Sequence, residues 1–326
     1  MKQFSRRTAV SALAAFTMFP ARSVRAQGIE KVTASWLPII QTTAFYVALE
    51  EKLYEAAGIE VEAVQFQNPN QIIDSLLSGR ADFAPPGGAA GITALAEARV
   101  PGSFKVFGLQ GGSQKPLFIN DALLVKADSQ IASFKALKGK KVGTVPGVQW
   151  KTITRHCIRR SGLDPDKDVE LSEIAIPLQL ASLISGAVDA TLSLEPVGSI
   201  AVDTHQAKRA MTNPVESFIN DPFYSGAAVL STKFLKERPV VAKKVIDVID
   251  MATKMTNANF GKYRSLLSKY TAVKPDEAKT IAQPRLRAFH ELNATDLHAY
   301  QAFVDVFATE GVLKQKLDVR SLMYQG

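Results

Sequence analysis

Three segments of this chain combine glycine, proline and hydroxyl residues where a strand is expected to lead into a helix: 36–43, 85–90 and 146–152. The N-terminus of a helix presents unpaired N–H groups and a partial positive charge, and in open α/β sheets such ends bind anionic ligands. Thr42 and Thr43 are expected to cap the first helix, while Gly87, Gly88 and Gly147 would let a bound group approach the backbone. Ordinary turn chemistry explains any one loop, but three together favour a site between two lobes.

The side chains of these loops supply the candidate binding groups. Trp36 and Trp150 are the only tryptophans, and a facing pair across a cleft would offer flat apolar area to an organic ligand. Lys151 could pair with an anion, and Glu195 could bind a ligand amine or fix its own loop. The candidate substrate-binding set is Trp36, Gln41, Thr42, Thr43, Gly87, Gly88, Ala89, Gly147, Val148, Gln149, Trp150, Lys151, Glu195 and Tyr224. We expect Trp150→Ala to weaken binding by about tenfold or more and to leave the fold intact.

Patterns for catalysis or metal binding are sparse. The four histidines, at 156, 205, 290 and 298, lack metal-ligand spacing, and no nucleophile elbow, Walker loop or dinucleotide fingerprint occurs. Cys157 follows His156, but adjacent residues of a helix point in different directions. As the single cysteine, Cys157 also excludes an intrachain disulfide. We therefore expect no catalytic residue, no metal and no cofactor.

A short phrase occurs twice, as Leu-Leu-Ser-Gly-Arg-Ala-Asp at 76–82 and Leu-Ile-Ser-Gly-Ala-Val-Asp at 183–189. Each copy reads as a helix end, a glycine suited to a left-handed conformation, and an aspartate that opens a short strand. Because strand, helix and strand recur in the same order around both copies, the repeat indicates two similarly built halves. Coincidence remains the alternative, since these residue types are common.

The length of 326 residues exceeds what one core usually supports, so two lobes are expected. We predict lobe 1 over 27–113 plus 225–326 and lobe 2 over 114–224, with crossing segments near 111–118 and 219–225. Each lobe is expected to be a mainly parallel sheet flanked by helices. The C-terminal part reads as helical, with helices predicted at 239–258, 260–269, 275–281 and 294–310.

Residues 1–26 read as a removable export signal, with a basic start, a short apolar stretch and small residues at the end. Ser5-Arg6-Arg7 partly resembles a twin-arginine signal, so the twin-arginine and general export routes both stay open. An anchoring helix is the weaker alternative, because Pro20 and Arg22 end the apolar run. Since no cysteine stands at the cleavage point, we expect a protein that is free in the periplasm and is not a lipoprotein.

The export signal also carries much of the net charge. It contains five basic residues and no acid, so the formal charge falls from +8 to +3 when it is removed. The remaining chain lacks a clustered basic or aromatic-basic patch, and we therefore expect no nucleic-acid partner. A mild positive bias suits an anionic solute.

The mature chain resembles the substrate-binding proteins of ATP-driven importers in the nitrate, sulfonate and taurine group. The resemblance rests on the order and spacing of the segments 53–62, 77–83, 137–143 and 185–190, followed by Glu195-Pro196. It implies a type II periplasmic binding fold with two α/β lobes, two crossing strands and a cleft that closes on a solute. It also implies delivery of a small anion to an ABC permease in the inner membrane. We further expect the protein to be a monomer.

One departure from the family pattern bears on the substrate. After the second-lobe Pro-Gly, members that bind oxyanions often have a hydroxyl residue, whereas this chain has Val148. Together with the two tryptophans, this favours a larger organic acid, including an aromatic sulfonate or carboxylate, over nitrate or bicarbonate. Two alternatives remain: an enzyme that resembles synthases of a thiamine pyrimidine precursor, whose cysteine-rich motif is missing here, and a periplasmic sensor module.

Overall fold

The computed structural model describes residues 28–326, and the export signal predicted at 1–26 lies outside them. The strands are β1 Glu30–Trp36, β2 Ile59–Gln65, β3 Phe83–Ala89, β4 Phe104–Ser113, β5 Asp121–Lys126, β6 Lys140–Thr144, β7 Val169–Glu173, β8 Ala190–Leu194, β9 Ala207–Thr212, β10 Phe223–Ser231 and β11 Arg285–Arg287. The helices are α1 Thr43–Glu50, α2 Leu53–Ala56, α3 Pro69–Leu77, α4 Ala90–Arg99, α5 Val148–Arg160, α6 Ile176–Ser185, α7 Val197–Asp203, α8 Pro214–Phe218, α9 Thr232–Glu237, α10 Pro239–Ala258, α11 Phe260–Tyr263, α12 Ser265–Tyr270, α13 Pro275–Ala278 and α14 Ala294–Thr309. None of these helices is long and apolar enough to cross a membrane.

Two sheets form the frames of two lobes, which confirms the predicted two-lobed α/β architecture. The sheet of lobe 1 has the order β11-β4-β10-β3-β1-β2, and that of lobe 2 has the order β7-β6-β8-β5-β9. β1 is parallel to β2 and β3, and β6 is parallel to β7 and β8. Both sheets are nevertheless mixed, because β5 and β10, the strands that follow the two crossings, run antiparallel to their neighbours.

The chain changes sheets twice, between β4 and β5 and between β9 and β10. The two crossing segments bind each other through Asn213: its Oδ1 accepts from the N–H of Asn120 at 3.0 Å, and its Nδ2 donates to the carbonyl of Phe118 at 2.6 Å. These segments overlap the crossings predicted near 111–118 and 219–225. The residue limits of the lobes, 27–113 with 225–326 and 114–224, stay a prediction.

The duplicated sequence phrase has one structural role in both lobes. Each copy ends a helix, α3 or α6, with a glycine at positive φ. Asp82 then exchanges two hydrogen bonds with Thr33 of β1: its Oδ2 accepts from the Thr33 N–H, and its own N–H donates to the Thr33 carbonyl, both at 2.9 Å. Asp189 does the same with Lys141 of β6, at 2.9 and 2.8 Å. The repeated aspartate therefore fixes a strand to its parallel neighbour in each lobe.

Several elements differ from the sequence prediction. The predicted helix at 239–258 is observed as α10, whereas the one predicted at 260–269 is two short helices, α11 and α12. β3 continues through Pro85-Pro86 to Ala89, where a loop was expected. A register shift between Ala227 and Val229 of β10 lies opposite the prolines, so fewer ladder hydrogen bonds are required of them. The prediction missed β9, α8, β10, α9 and the three-residue β11.

Candidate functional site

The two lobes meet directly at the start of α5. The Oε1 of Gln149 accepts a hydrogen bond from the N–H of Gly91 in α4, and its Nε2 donates to the carbonyl of Ser225 in β10, both at 2.9 Å. Gln149 is 3% exposed, so the carboxamide of a lobe 2 residue is buried against lobe 1. A second bond joins Gln41 Nε2 to Asn120 Oδ1 at 3.1 Å, which links the first loop to a crossing segment. The structure thus brings Gln41 and Gln149 to an interface that is closed.

Close packing at this interface explains why three of its positions are glycine. A Cβ on Gly87 would overlap the hydroxyl of Thr42, and one on Gly111 would lie 2.5 Å from Gln41 Cγ. A Cβ on Gly91 would lie 2.5 Å from the Phe307 ring and 2.9 Å from Gln149 Oε1. Gly87 and Gly111 also have positive φ, 114° and 58°, which disfavours other residues there. The first two predicted loops are therefore in contact.

The threonines do not cap α1 as predicted. Thr42 is the N-cap residue, but its hydroxyl donates to the carbonyl of Leu37 at 2.9 Å, and Thr43 donates to Ile40. A 3-10 turn at Ile40–Thr42 precedes the helix. Thr42 consequently has φ −83° and ψ 2°, in place of the extended conformation from which a side chain usually caps.

The two tryptophans pack inside the protein and do not face each other. Trp36 is 8% exposed and lies against Phe45, Tyr46 and Tyr270, with ring centroids at 6.1, 5.6 and 6.1 Å. Trp150 is 7% exposed and belongs to a different hydrophobic cluster. Among the described residues no ring contact joins them. The paired aromatic surface expected from the sequence is therefore replaced by two separate core positions.

Glu195 is engaged within its own lobe. Its Oε1 accepts from Arg209 Nη2 at 2.6 Å, and its Oε2 accepts from the N–H of Ser199 at 3.0 Å. The Glu195 side chain is 1% exposed. The carboxylate thus fixes its loop, which is the second of the two roles expected, and is not directed at a ligand amine.

Tyr224 is also turned away from the interface. Its hydroxyl donates to Asp296 Oδ1 at 2.5 Å and accepts from Arg285 Nε at 2.7 Å. Burial, and then the hydrogen bond to Asp296, raise the pKa of Tyr224. Its hydrogen-bonding capacity is therefore used by α14 and β11.

Lys151 and Gly147 already hold an acid. Glu173 Oε2 accepts from the N–H of Gly147 at 2.8 Å, and Lys151 Nζ donates to Glu173 Oε1 at 3.0 Å. These contacts, first from Gly147 and then from Lys151, lower the pKa of Glu173. The ammonium group of Lys151 and the N–H of Gly147, both expected to be available to an anion, therefore contact a carboxylate of the chain itself.

The remaining predicted residues line the same region. Val148 is 37% exposed at the start of α5, and Gly88 and Ala89 pair with Ala227 and Gly226 of β10. Sequence reasoning missed Gly91, Asn120 and Ser225, which are the partners of Gln41 and Gln149 across the interface. It also missed Glu310, whose carboxylate binds His156 and Arg159 of the other lobe. The sequence offers one indication of the role of Asn120, namely that it is a polar residue next to a predicted crossing segment.

A buried acid lies beneath this interface. Asp121 Oδ1 accepts from the N–H of Val215 at 3.2 Å, and its Oδ2 accepts from Asn120 Nδ2 at 3.3 Å. Burial raises the pKa of Asp121 to about 7. Asn120 therefore connects Gln41 of lobe 1 with a titratable group of lobe 2.

The described residues offer little to a metal or a covalent mechanism. No group of three or more histidine, cysteine, aspartate or glutamate residues within 28–326 is placed to hold a metal ion. His156 Nδ1 lies 3.1 Å from Glu310, whereas Cys157 is fully buried. Burial raises the pKa of the Cys157 thiol, so it is held in the unreactive form.

Two cavities on the described surface lie away from the interface. One, of about 420 Å³, is lined by lobe 2 residues that include Lys126, Asp128 and Lys140. The other, of about 510 Å³, is lined by Leu49, Tyr54 and other lobe 1 residues. Neither contains a predicted binding residue.

Comparisons with known proteins agree with the fold. A family model described as NMT1/THI5 like matches residues 39–259. A protein of Brucella abortus, whose description is no more specific than a binding protein, is 24% identical over 285 residues, which cover 85% of this chain and 84% of the relative.

Similar solved structures include binding proteins and an enzyme. The periplasmic aliphatic sulphonate-binding protein SsuA of Escherichia coli has a TM-score of 0.72 and 17% identity, with 91% of this chain and 92% of that chain covered. The alkanesulfonate-binding protein SsuA of Xanthomonas axonopodis pv. citri, bound to MOPS, gives 0.70 and 16%, with 92% and 100% covered. The desulfurization enzyme DSZB gives 0.68 and 18%, with 90% and 96% covered.

Proposed function

This chain belongs to the NMT1/THI5-like family, and from that premise we propose that it is the extracytoplasmic solute-binding receptor of an ABC importer. It would capture a small organic anion, a sulfonate or a carboxylate, between its lobes and deliver it to an inner-membrane permease. The observation that carries the proposal is the contact of Gln149 with Gly91 and Ser225. It joins the two lobes where the predicted loops meet.

We infer that the solute replaces the bonds that now hold the interface closed. Gly91 N–H and the Ser225 carbonyl would become available when Gln149 withdraws, as would the amides of Gln41 and Asn120. The proposed binding set is Gln41, Thr42, Gly87, Gly88, Ala89, Gly91, Asn120, Val148, Gln149 and Ser225. The other predicted residues are left out because contacts within the chain occupy them or because they pack in the interior: Trp36, Thr43, Gly147, Trp150, Lys151, Glu195 and Tyr224.

Binding without turnover is favoured over an enzyme by the state of the only thiol. DSZB has the same fold, so the fold alone does not separate the two classes. Cys157 is fully buried and its pKa is raised, which makes it unsuitable as a nucleophile. We also propose that the mature protein acts as a periplasmic monomer after removal of the export signal.

The test is binding of organic acids to purified residues 27–326. We expect benzenesulfonate, benzoate or an alkanesulfonate to raise the melting temperature and to bind in calorimetry without being consumed. Gln41→Ala should weaken that binding by about tenfold. Gln130→Ala, at an exposed position of lobe 2, is the matched control and should bind as the wild type does. Stabilisation by nitrate alone, or conversion of the acid, would contradict the proposal.

A further inference from the structure

The start of α5 is already occupied by an acid of the chain itself. Glu173, the last residue of β7, binds the N–H of Gly147 through one oxygen at 2.8 Å and Lys151 Nζ through the other at 3.0 Å. A single carboxylate therefore contacts both groups that an anionic ligand would otherwise use. The arrangement does not depend on lobe 1, because all three residues belong to lobe 2.

This acid lies beside the interface between the lobes. Gln149, two residues beyond Gly147, reaches Gly91 and Ser225 of lobe 1, and Val148 between them is 37% exposed. A second acid at the N–H of Gly147 would have to lie against the carboxylate of Glu173. Two neighbouring carboxylates repel each other. The Glu173 side chain is 37% exposed and that of Lys151 is 51% exposed, so this repulsion acts in contact with water and is moderate in size.

We propose that Glu173 is a specificity-determining residue that keeps a second acidic group out of the lobe 2 side of the cleft. The inference deepens the proposed function and rests on it. Solutes with one acidic group bind with that group toward the loops of lobe 1 and with their uncharged end toward Val148. Solutes with an acid at both ends are rejected, because their second acid meets Glu173.

The experiment compares benzoate with terephthalate, which adds one carboxylate at the opposite end of the same ring. In calorimetry at neutral pH the wild type should prefer benzoate by about tenfold or more, and Glu173→Gln should reduce that preference by about tenfold. Asp166→Asn is the matched control. Asp166 is an exposed lobe 2 carboxylate that pairs with Arg155 of α5, and removal of its charge should leave the preference unchanged.

A ligand-free measurement tests the contact itself. The amide resonance of Gly147, followed by NMR from neutral pH into the acid range, should shift with a midpoint below about 4.3, the ordinary value for glutamate. The shift should be absent in Glu173→Gln. If Gly147 does not titrate, Glu173 does not occupy this position and the inference is wrong.

The outcomes separate the two proposals. If the wild type binds benzoate and Glu173→Gln leaves the preference over terephthalate unchanged, the inference fails and the proposed function stands. If the wild type binds none of the organic acids, the proposed function fails. In that case a gain of terephthalate binding by Glu173→Gln would still support the role of Glu173. The absence of such a gain would contradict it.

Discussion

Single polar residues near the candidate site are largely satisfied by partners within the chain. Glu195 binds Arg209 and the Ser199 N–H, and Thr42 donates to the Leu37 carbonyl. A buried polar group without a partner is costly, so folding pairs most of them. The sequence pattern indicates which residue types are chemically capable, but their partners come from distant positions that the pattern does not reveal.

Trp150 illustrates the consequence for mutagenesis. Because its ring is buried in a hydrophobic cluster, Trp150→Ala should lower the free energy of unfolding by about 3–5 kcal/mol. Urea denaturation followed by circular dichroism measures this. The sequence alone predicts a binding defect with an intact fold, whereas the burial of Trp150 predicts a loss of stability.

Val148→Ala is the neighbouring control for Trp150. Val148 is 37% exposed, so its truncation should change the stability by less than about 0.5 kcal/mol. If Trp150→Ala were as stable as Val148→Ala and bound ligand weakly, the side chain would belong to the site and not to the core.

At the scale of elements, the repeated phrase predicts a shared stabilising contact. Asp82→Ala and Asp189→Ala each remove the acceptor of a strand N–H. Because Asp82 is half-buried and Asp189 is exposed, each should cost about 1 kcal/mol. Asp82 should cost more, because it also lies 3.7 Å from Arg238. Urea denaturation measures both, with Asp128→Ala at an exposed position as the control. If only one of the two substitutions lowered the free energy of unfolding, the two copies of the phrase would not have equivalent roles.

The start of β5 should make stability depend on pH. Burial raises the pKa of Asp121 to about 7 from an ordinary value near 3.8, so between these values the folded state holds a proton that the unfolded state has lost. This contribution therefore favours folding at acid pH and declines as the pH rises toward 7.

Asp121→Asn isolates that contribution. We compare the free energy of unfolding of the variant with that of the wild type at each pH. The variant minus wild-type difference should increase by more than about 1 kcal/mol as the pH rises from about 4 to about 7. The amide oxygen can still accept from Val215, and titrating groups distant from Asp121 affect both proteins alike. Glu216 and Glu195 are the charged groups coupled to Asp121, so their contribution changes together with it. A difference that is independent of pH, measured by denaturation across this range, would show that Asp121 ionises normally.

At the scale of the whole molecule, Gln149 is one of several contacts that join the lobes. His156 and Arg159 of lobe 2 also bind Glu310 of lobe 1, and one hydrophobic cluster contains residues of both lobes. Gln149→Leu keeps the side-chain size but leaves the Gly91 N–H and the Ser225 carbonyl without partners, at about 1–3 kcal/mol each while they stay buried. Opening would restore their access to water. We therefore expect a larger radius of gyration for the ligand-free variant in small-angle X-ray scattering.

The exposed Gln130→Leu serves as the control for this change, because Gln130 bonds only within lobe 2, to the carbonyl of Asp128 at 3.3 Å. Its scattering should match that of the wild type. If Gln149→Leu also matched, Gln149 would not hold the lobes together.

Much of the fold followed from local patterns. Glycine stops, strand–helix alternation and the repeat predicted two α/β lobes, and apolar periodicity with an initial proline located α10. Short elements such as β11 carry too little pattern to be predicted. The direction of β5 and β10 depends on how the chain crosses between the lobes, and this is a property of topology, not of either strand.

The sequence by itself determined which residues could do chemistry and that two similar halves would carry them. Only the tertiary structure decided which of those residues are available. Glu173 lies 26 positions from Gly147 in the sequence, and Ser225 lies 76 positions from Gln149, so the partners of these two predicted donors were decided by the folded chain. The physical reason is that hydrogen-bond satisfaction depends on distances in space, whereas residue patterns report only separation along the chain.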